Sequence, residues 1–153
     1  MARFVTTTRE EVVEKILTTL NGLTEFKSVE RRLPTRERLQ EFAEPQFPVI
    51  AVVAGLPVPK EKLSSREKGG SIDKVISQLD VELFVYLMDN DNADATISEL
   101  LESLWVALLA DEKQGNLVLG TTLVPERTME FWEPYVAFKV TVVMSYLHTK
   151  GGI

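Results

Sequence analysis

The chain has no cysteine among its 153 residues. That removes disulfides, thiolate zinc sites, iron–sulfur clusters and cysteine nucleophiles. Histidine occurs once, as His148 near the end of the chain. A lone imidazole with no thiol beside it lacks the parts for a histidine metal site or a Ser–His–acid triad. Long apolar runs are also missing. No stretch approaches the ~18 uninterrupted apolar residues of a membrane span, and the opening M-A-R-F-V-T-T-T-R-E-E has no apolar core followed by a cleavage site, so no secretory signal is expected. Nor is there an excess of positive charge: the net charge of −6 argues against a free-standing nucleic-acid binder.

Two apparent ligand loops fail on inspection. Gly69-Gly70-Ser71 does not follow a strand, opens no helix and lacks the spacing of a phosphate-cradling loop. Met88–Asp94 looks like a calcium loop. However, Ala93 stands at the fifth ligand position, Asp94 where glycine is required and Leu100 where a bidentate Glu belongs. A polar turn with Asp94 capping the next helix accounts for it better. Among the 23 acids, Asp80 and Glu82 form the one pair on a shared strand face with apolar neighbours. A solvated side or an interface explains them more simply than general acid–base work. No enzyme activity and no cofactor are expected.

What is present is an ordinary globular composition, 44% hydrophobic and 26% charged. Residues 1–153 suit one domain that buries about 70% of its unfolded surface. The charges divide unevenly: residues 1–74 carry 13 Lys/Arg against 11 Asp/Glu, and residues 75–153 carry 4 against 12. Copies packed head to tail would use such a split. A fold that mixes both halves over one surface would erase it.

The chain is organised around Val75–Leu87. From Gln78 onward, Leu79, Val81, Leu83, Val85 and Leu87 alternate with Gln78, Asp80, Glu82, Phe84 and Tyr86. Period two with one apolar side predicts a strand buried on one face. At about 3.3 Å per residue it spans roughly 43 Å, twice an ordinary strand, and projects from a small body. Tyr135–Leu147 shows the same alternation and is its natural antiparallel partner.

The remaining elements follow in order. Thr8-Arg9-Glu10-Glu11 matches a capping box, and Val12, Val13, Ile16, Leu17, Leu20 and Leu23 make a helical stripe. This predicts a helix over Arg9–Asn21, with Asn21-Gly22 as a left-handed stop. Glu25–Leu33 reads as a strand, and Thr35 caps a short helix that turns Leu39 and Phe42 inward. Arg31, Arg32, Arg36 and Arg38 gather there as a basic cluster that fits phosphates, a partner's carboxylates or simply water. Val49–Ala54 is a short buried strand. Residues 56–74, rich in proline, glycine and mixed charge, predict a flexible loop or arm. A second amphipathic helix covers Ala95–Ala110 with Trp105 on its apolar face; Trp105 and Trp132 read as core or interface anchors. Leu117–Val124 is a further strand, interrupted at Gly120, and His148–Ile153 a frayed tail. The pattern predicts an α+β fold: a mainly antiparallel sheet with two long strands, packed by two main amphipathic helices.

This order of parts resembles the tail terminator proteins of tailed bacteriophages. It runs from an amphipathic helix through Phe47-Pro48-Val49-Ile50-Ala51-Val52, a long polar loop, the long strand, a polar turn and a helix to a strand ending Val142-Val143-Met144-Ser145-Tyr146. The resemblance covers nearly the whole chain and rests on pattern and length; the segment Leu33–Phe42 departs from it. It implies a mixed sheet and a homo-oligomeric ring, expected to be hexameric. Such a ring caps the tail tube, stops its polymerisation and joins the head connector. No cofactor, reaction or membrane is involved, and DNA is only passing cargo in the lumen. Localisation would be the virion, and the host cytoplasm during assembly. Lys60, Lys62, Arg66 and Lys68, with Asp80 and Glu82, become the expected oligomer or tube interface. Arg31, Arg32, Arg36 and Arg38 become a partner-facing or lumen-facing cluster. Another neck or tail-completion component, or a non-viral small α/β binding module, are the alternatives.

Overall fold

The computed structural model describes residues 6–42, 47–67, 70–88, 93–126 and 135–149. They form a mixed α+β fold with a largely antiparallel sheet and a few helices. The strands are β1 (Ser28–Glu30), β2 (Val49–Ala54), β3 (Val58–Glu67), β4 (Gly70–Met88), β5 (Gly120–Glu126) and β6 (Tyr135–Thr149). The helices are α1 (Arg9–Asn21), α2 (Arg36–Glu41) and α3 (Ala93–Leu109). Strand order is β1-β2-β4-β6-β5, with β3 on β4 in line with β2. Only β1 and β2 are parallel.

β4 is the axis of the sheet. Its 19 residues reach roughly 63 Å. One edge pairs with β2 over Val81–Tyr86 and with β3 over Gly70–Gln78; the other pairs with β6 from Lys74 to Met88. Leu79, Val81, Leu83, Val85 and Leu87 share a face with Phe138, Val140, Val142, Met144 and Tyr146 of β6. Val12, Ile16 and Leu20 of α1 and Leu100, Leu104 and Leu108 of α3 complete this main core. Each of these fully buried aliphatic side chains contributes about 1.5–3 kcal/mol of transfer free energy.

A smaller cluster forms on the reverse face. Leu39 of α2, Phe47, Val49, Ala51, Tyr86 and Tyr135 are buried together, with Phe42 and Phe84 packed against them. Phe47 stacks on Tyr135 at 5.6 Å between centroids. The short helix therefore carries Leu39 into a second layer that covers one end of the sheet.

Local signals explain the starts of the helices. Thr8 Oγ1 accepts from the Glu11 N–H and a Glu11 carboxylate oxygen accepts from the Thr8 N–H, closing the capping box. Thr35 accepts from the Arg38 N–H. The stop of α1 differs from expectation. Gly22 is right-handed, with φ −78°, and its N–H donates to the Thr18 and Thr19 carbonyls, so the last turn tightens without a left-handed residue. Left-handed backbone appears instead after α3, at Gln114, Gly115 and Asn116. That turn consumes the start of the strand expected at Leu117, and Gly120 opens β5 rather than interrupting it. Asp94 sits in the first turn of α3, not at its cap. β1 keeps only three residues of the stretch Glu25–Leu33, those matched by Val49–Ala51.

Two larger corrections concern the arm and the tail. Residues 58–67 are a strand, hydrogen-bonded to β4 from Val58↔Gln78 to Glu67↔Gly70 with a register shift between Pro59 and Glu61. Its sequence has no period, and the pairing comes from the edge that β4 continues to offer below Val81. The tail begins later than expected. His148 pairs with Val75 and is buried, because β6 follows β4 to Lys74↔Thr149.

Candidate functional site

Among the described residues, the reverse face of the sheet is covered at one end only. Phe84, Tyr86 and Met88 lie in the cluster under α2. Further along β4, Gln78, Asp80 and Glu82 remain partly exposed. Beside them in register lie Lys139, Thr141, Val143 and Ser145 of β6, then Thr122, Val124 and Glu126 of β5. Val124 is 43% exposed. Asp80 accepts from the Gln78 amide at 3.1 Å. Lys139 Nζ lies 3.1 Å from Glu126 and 3.7 Å from Glu82. The hydrogen bond to Glu126, helped by the Glu82 carboxylate, raises the Lys139 pKa above its ordinary value. With three acids and one lysine, this open face keeps an acidic excess around an apolar stripe.

Beyond Lys74↔Thr149 the β3–β4 pair continues without β6, from Ser64↔Asp73 to Glu67↔Gly70. This is a two-stranded arm, and its root is unusually apolar: Leu56 is 81% and Val58 51% exposed. Lys60, the unmatched residue at the register shift, and Lys62, opposite Val75, follow on β3 and are exposed. Neither makes an ion pair among the described residues. Arg66 lies opposite Ser71, its side chain outside the described set, and Lys68 lies outside the described residues.

The bend that launches the arm is held by a residue that motif reading passed over. Arg9, in the first turn of α1, donates from Nε to the Gly55 carbonyl at 2.9 Å and from Nη2 to the Ala54 carbonyl at 3.1 Å. The Gly55 N–H in turn donates to the Asp80 carbonyl at 2.8 Å. A Cβ at Gly55 would stand 3.0 Å from that same carbonyl oxygen, so any other residue here would push the Asp80 carbonyl back by a few tenths of an ångström. The signal for Arg9 in sequence was slight: one cation within a capping box.

The arginines near α2 do not act as one cluster. Arg31 reaches Glu10 and Glu14 on α1, holding the Glu10 carboxyl below its usual pKa. Arg38 pairs with Glu30 at 2.7 Å and Glu41 at 2.8 Å on the α2 side and lies 4.5 Å over the Phe42 ring. Arg32 is exposed, and the Arg36 side chain lies outside the described set. Two of the four thus already have carboxylate partners within the chain.

A buried polar group lies under the arm root. Ser77 and His148 Nε2 are 2.6 Å apart, and His148 Nδ1 is 2.7 Å from the Thr149 carbonyl. That carbonyl can only accept, so Nδ1 carries a proton, and in the neutral ring Nε2 accepts from the Ser77 hydroxyl. Ser77 has no exposed surface, which makes the pair a strand-to-strand tie with no access for a substrate. Tyr146 packs against His148 at 5.2 Å, and its buried hydroxyl has no hydrogen-bond partner among the described residues.

Elsewhere, a shallow groove of about 530 Å³ runs between Leu23, Glu25 and the flank of α3 formed by Glu99, Glu102, Ser103, Val106, Ala107 and Ala110. Trp105, expected on the apolar face, is 46% exposed; Trp132 lies outside the described residues. Among the described residues no three His, Asp or Glu are placed to hold a metal ion, and no helix is long and apolar enough to cross a membrane. Neither the models of known protein families nor the curated protein sequences match this chain.

Proposed function

We propose that this protein is a structural, self-associating subunit of the tail-terminator type. Copies form a ring, expected to be hexameric, that caps a phage tail tube, ends its growth and presents a surface to the head connector. It performs no reaction and needs no cofactor, and DNA passes through the lumen as cargo.

The observation that carries the reading is the arm, which runs past the last β4–β6 pair with neither helix nor third strand beside it among the described residues. A two-stranded ribbon is marginal alone in water, so one that leaves the body is explained by contacts made in an assembly. The order of elements supports the same reading, taken as two long strands, β4 of 19 and β6 of 15 residues, packed by the amphipathic helices α1 and α3. In the ring, the arm, whose stretch of chain carries Arg66 and Lys68, engages the tube.

Addition of the protein to polymerising tail tube protein tests this. Growth should stop at a small ratio of added subunit to tube protein, and charge reversal at Lys60, Lys62, Arg66 and Lys68 should weaken capping while the far-UV spectrum stays unchanged. Tubes that grow equally long with and without the protein would remove the reading. The groove beside α3 favours a second one, a binding module; a strict monomer that retains a peptide or small ligand there would support it.

A further inference from the structure

We propose that the arm root of one copy lies on the open sheet face of the next, with Lys60 and Lys62 against Asp80 and Glu82. Leu56 and Val58 then cover the stripe around Val124 and Val143. The inference rests on the self-association in the reading above and names the surfaces that make it.

Three observations lead there. The first is charge. Lys60 and Lys62 are exposed and without ion pairs among the described residues. On the open face, Asp80 has no ion pair among them, and Glu82 has one at 3.7 Å to a lysine that sits closer to Glu126. The second is apolar content. Leu56 and Val58 at the arm root, and Val124 on the face, are among the most exposed large hydrophobic side chains. Leu56 and Val58 lie four and two residues before Lys60 in the chain, and Val124 lies beside Thr141, the neighbour of Glu82, so apolar and ionic contacts fall within one docking.

The third is reach. Lys62 is paired with Val75 and Pro59 with Ser77. Asp80 and Glu82 therefore lie about five and seven residues beyond Lys62 along β4, roughly 17 and 23 Å, and about four and six beyond Lys60, roughly 13 and 20 Å. Within one chain these opposite charges form no ion pair among the described residues; between two chains they can. Arm root and open face adjoin at Val58↔Gln78 but carry opposite charges; used head to tail, each copy offers one of them to the next. Repeated, the contact closes into a ring where the rotation permits. Arg9 and Gly55 contribute by fixing the bend from which the root departs.

The absence of cysteine makes the test clean. Mixed Lys60→Cys and Glu82→Cys single variants should give a disulfide-linked dimer on oxidation, and the double variant a covalent ladder ending at a closed ring. A disulfide within one chain is excluded, since it needs Cα atoms no more than about 7 Å apart. Lys60→Cys mixed with Glu112→Cys, an exposed position beyond α3, should give no dimer. In uncross-linked protein, Lys60→Glu/Lys62→Glu should weaken association about 10-fold or more, and adding Asp80→Lys/Glu82→Lys should restore it. No dimer from the Lys60/Glu82 mixture, with both variants folded by circular dichroism, overturns the proposal. Sedimentation of the wild-type protein separates the two ideas. Oligomers without this cross-link refute only the arm-to-face contact, and monomers at every concentration refute self-association with it.

Discussion

Tyr146→Phe reverses the usual sign of a buried tyrosine substitution. Most buried tyrosines donate a hydrogen bond, and losing the hydroxyl costs stability. Tyr146 is fully buried among Leu79, Met144 and their neighbours, and its hydroxyl has no partner among the described residues. An unsatisfied buried hydroxyl costs about 1–3 kcal/mol of desolvation, while phenylalanine keeps the ring, its packing and its 5.2 Å contact with His148. The expected result is a gain of roughly 1 kcal/mol or more, which raises the melting temperature by about 2–4 °C in a chain of this size. Urea unfolding at pH 7 should show a higher midpoint at unchanged slope. A second readout follows from ionisation. Burial raises the Tyr146 pKa, with Arg9 partly opposing the shift. The neutral phenol is then the folded form. Its contribution is intact below the unfolded value near pH 10 and is lost as pH rises from there through the folded pKa. Wild-type stability should fall above about pH 10, and the phenylalanine variant should fall less. A loss exceeding 1 kcal/mol at pH 7 would refute the reasoning, since the hydroxyl would then be making a bond worth more than its burial costs.

Four further substitutions test the scaffold. Gln114→Ala removes the buried amide that donates to the Leu108 carbonyl at 2.7 Å and the Asp111 carbonyl at 2.9 Å; freeing the end of α3 should cost about 1–3 kcal/mol in urea unfolding. Leu104→Ala, at a fully buried position between α3 and the sheet, should cost about 3–5 kcal/mol by the same assay. Arg9→Ala breaks both bonds to the bend, and hydrogen–deuterium exchange should quicken at residues 55–62 and 76–80 with α1 still protected. Tyr86→Phe should soften the alkaline loss of stability, because burial raises that phenol's pKa too.

Periodicity explains which parts of this fold were legible in sequence. The stripe Val12–Leu20 and the capping box defined α1 to the residue, and alternation gave β4 from Val75 to Leu87 and β6 from Tyr135 to Leu147 with their pairing, while Gly70–Lys74 of β4 fell within the expected loop. Alternation records burial on one face, so it also identified Gln78, Asp80 and Glu82 as the side left open. The arm carries no such record. With little to bury, the strand Val58–Glu67 owes its conformation to backbone bonds with β4, and backbone bonding leaves no residue pattern. Trp105 misled for the opposite reason: it sits at the edge of an apolar stripe whose centre, Leu100–Leu104–Leu108, already fills the space under α3. The Arg9–Gly55–Asp80 link joins positions far apart in the chain through two main-chain carbonyls, and only topology brings them together.

The register shift between Pro59 and Glu61 has a bearing on how this arm can vary. A strand that slips by one residue turns every side chain to the wrong face. β4 belongs to both the core and the arm, so an inserted residue would normally invert Leu79, Val81 and Leu83. With one unmatched residue already housed between Pro59 and Glu61, the register of the arm is decoupled from that of the body. Arm length is therefore free to drift from one generation of sequences to the next by additions and deletions near its far end, while the body it departs from stays unaltered.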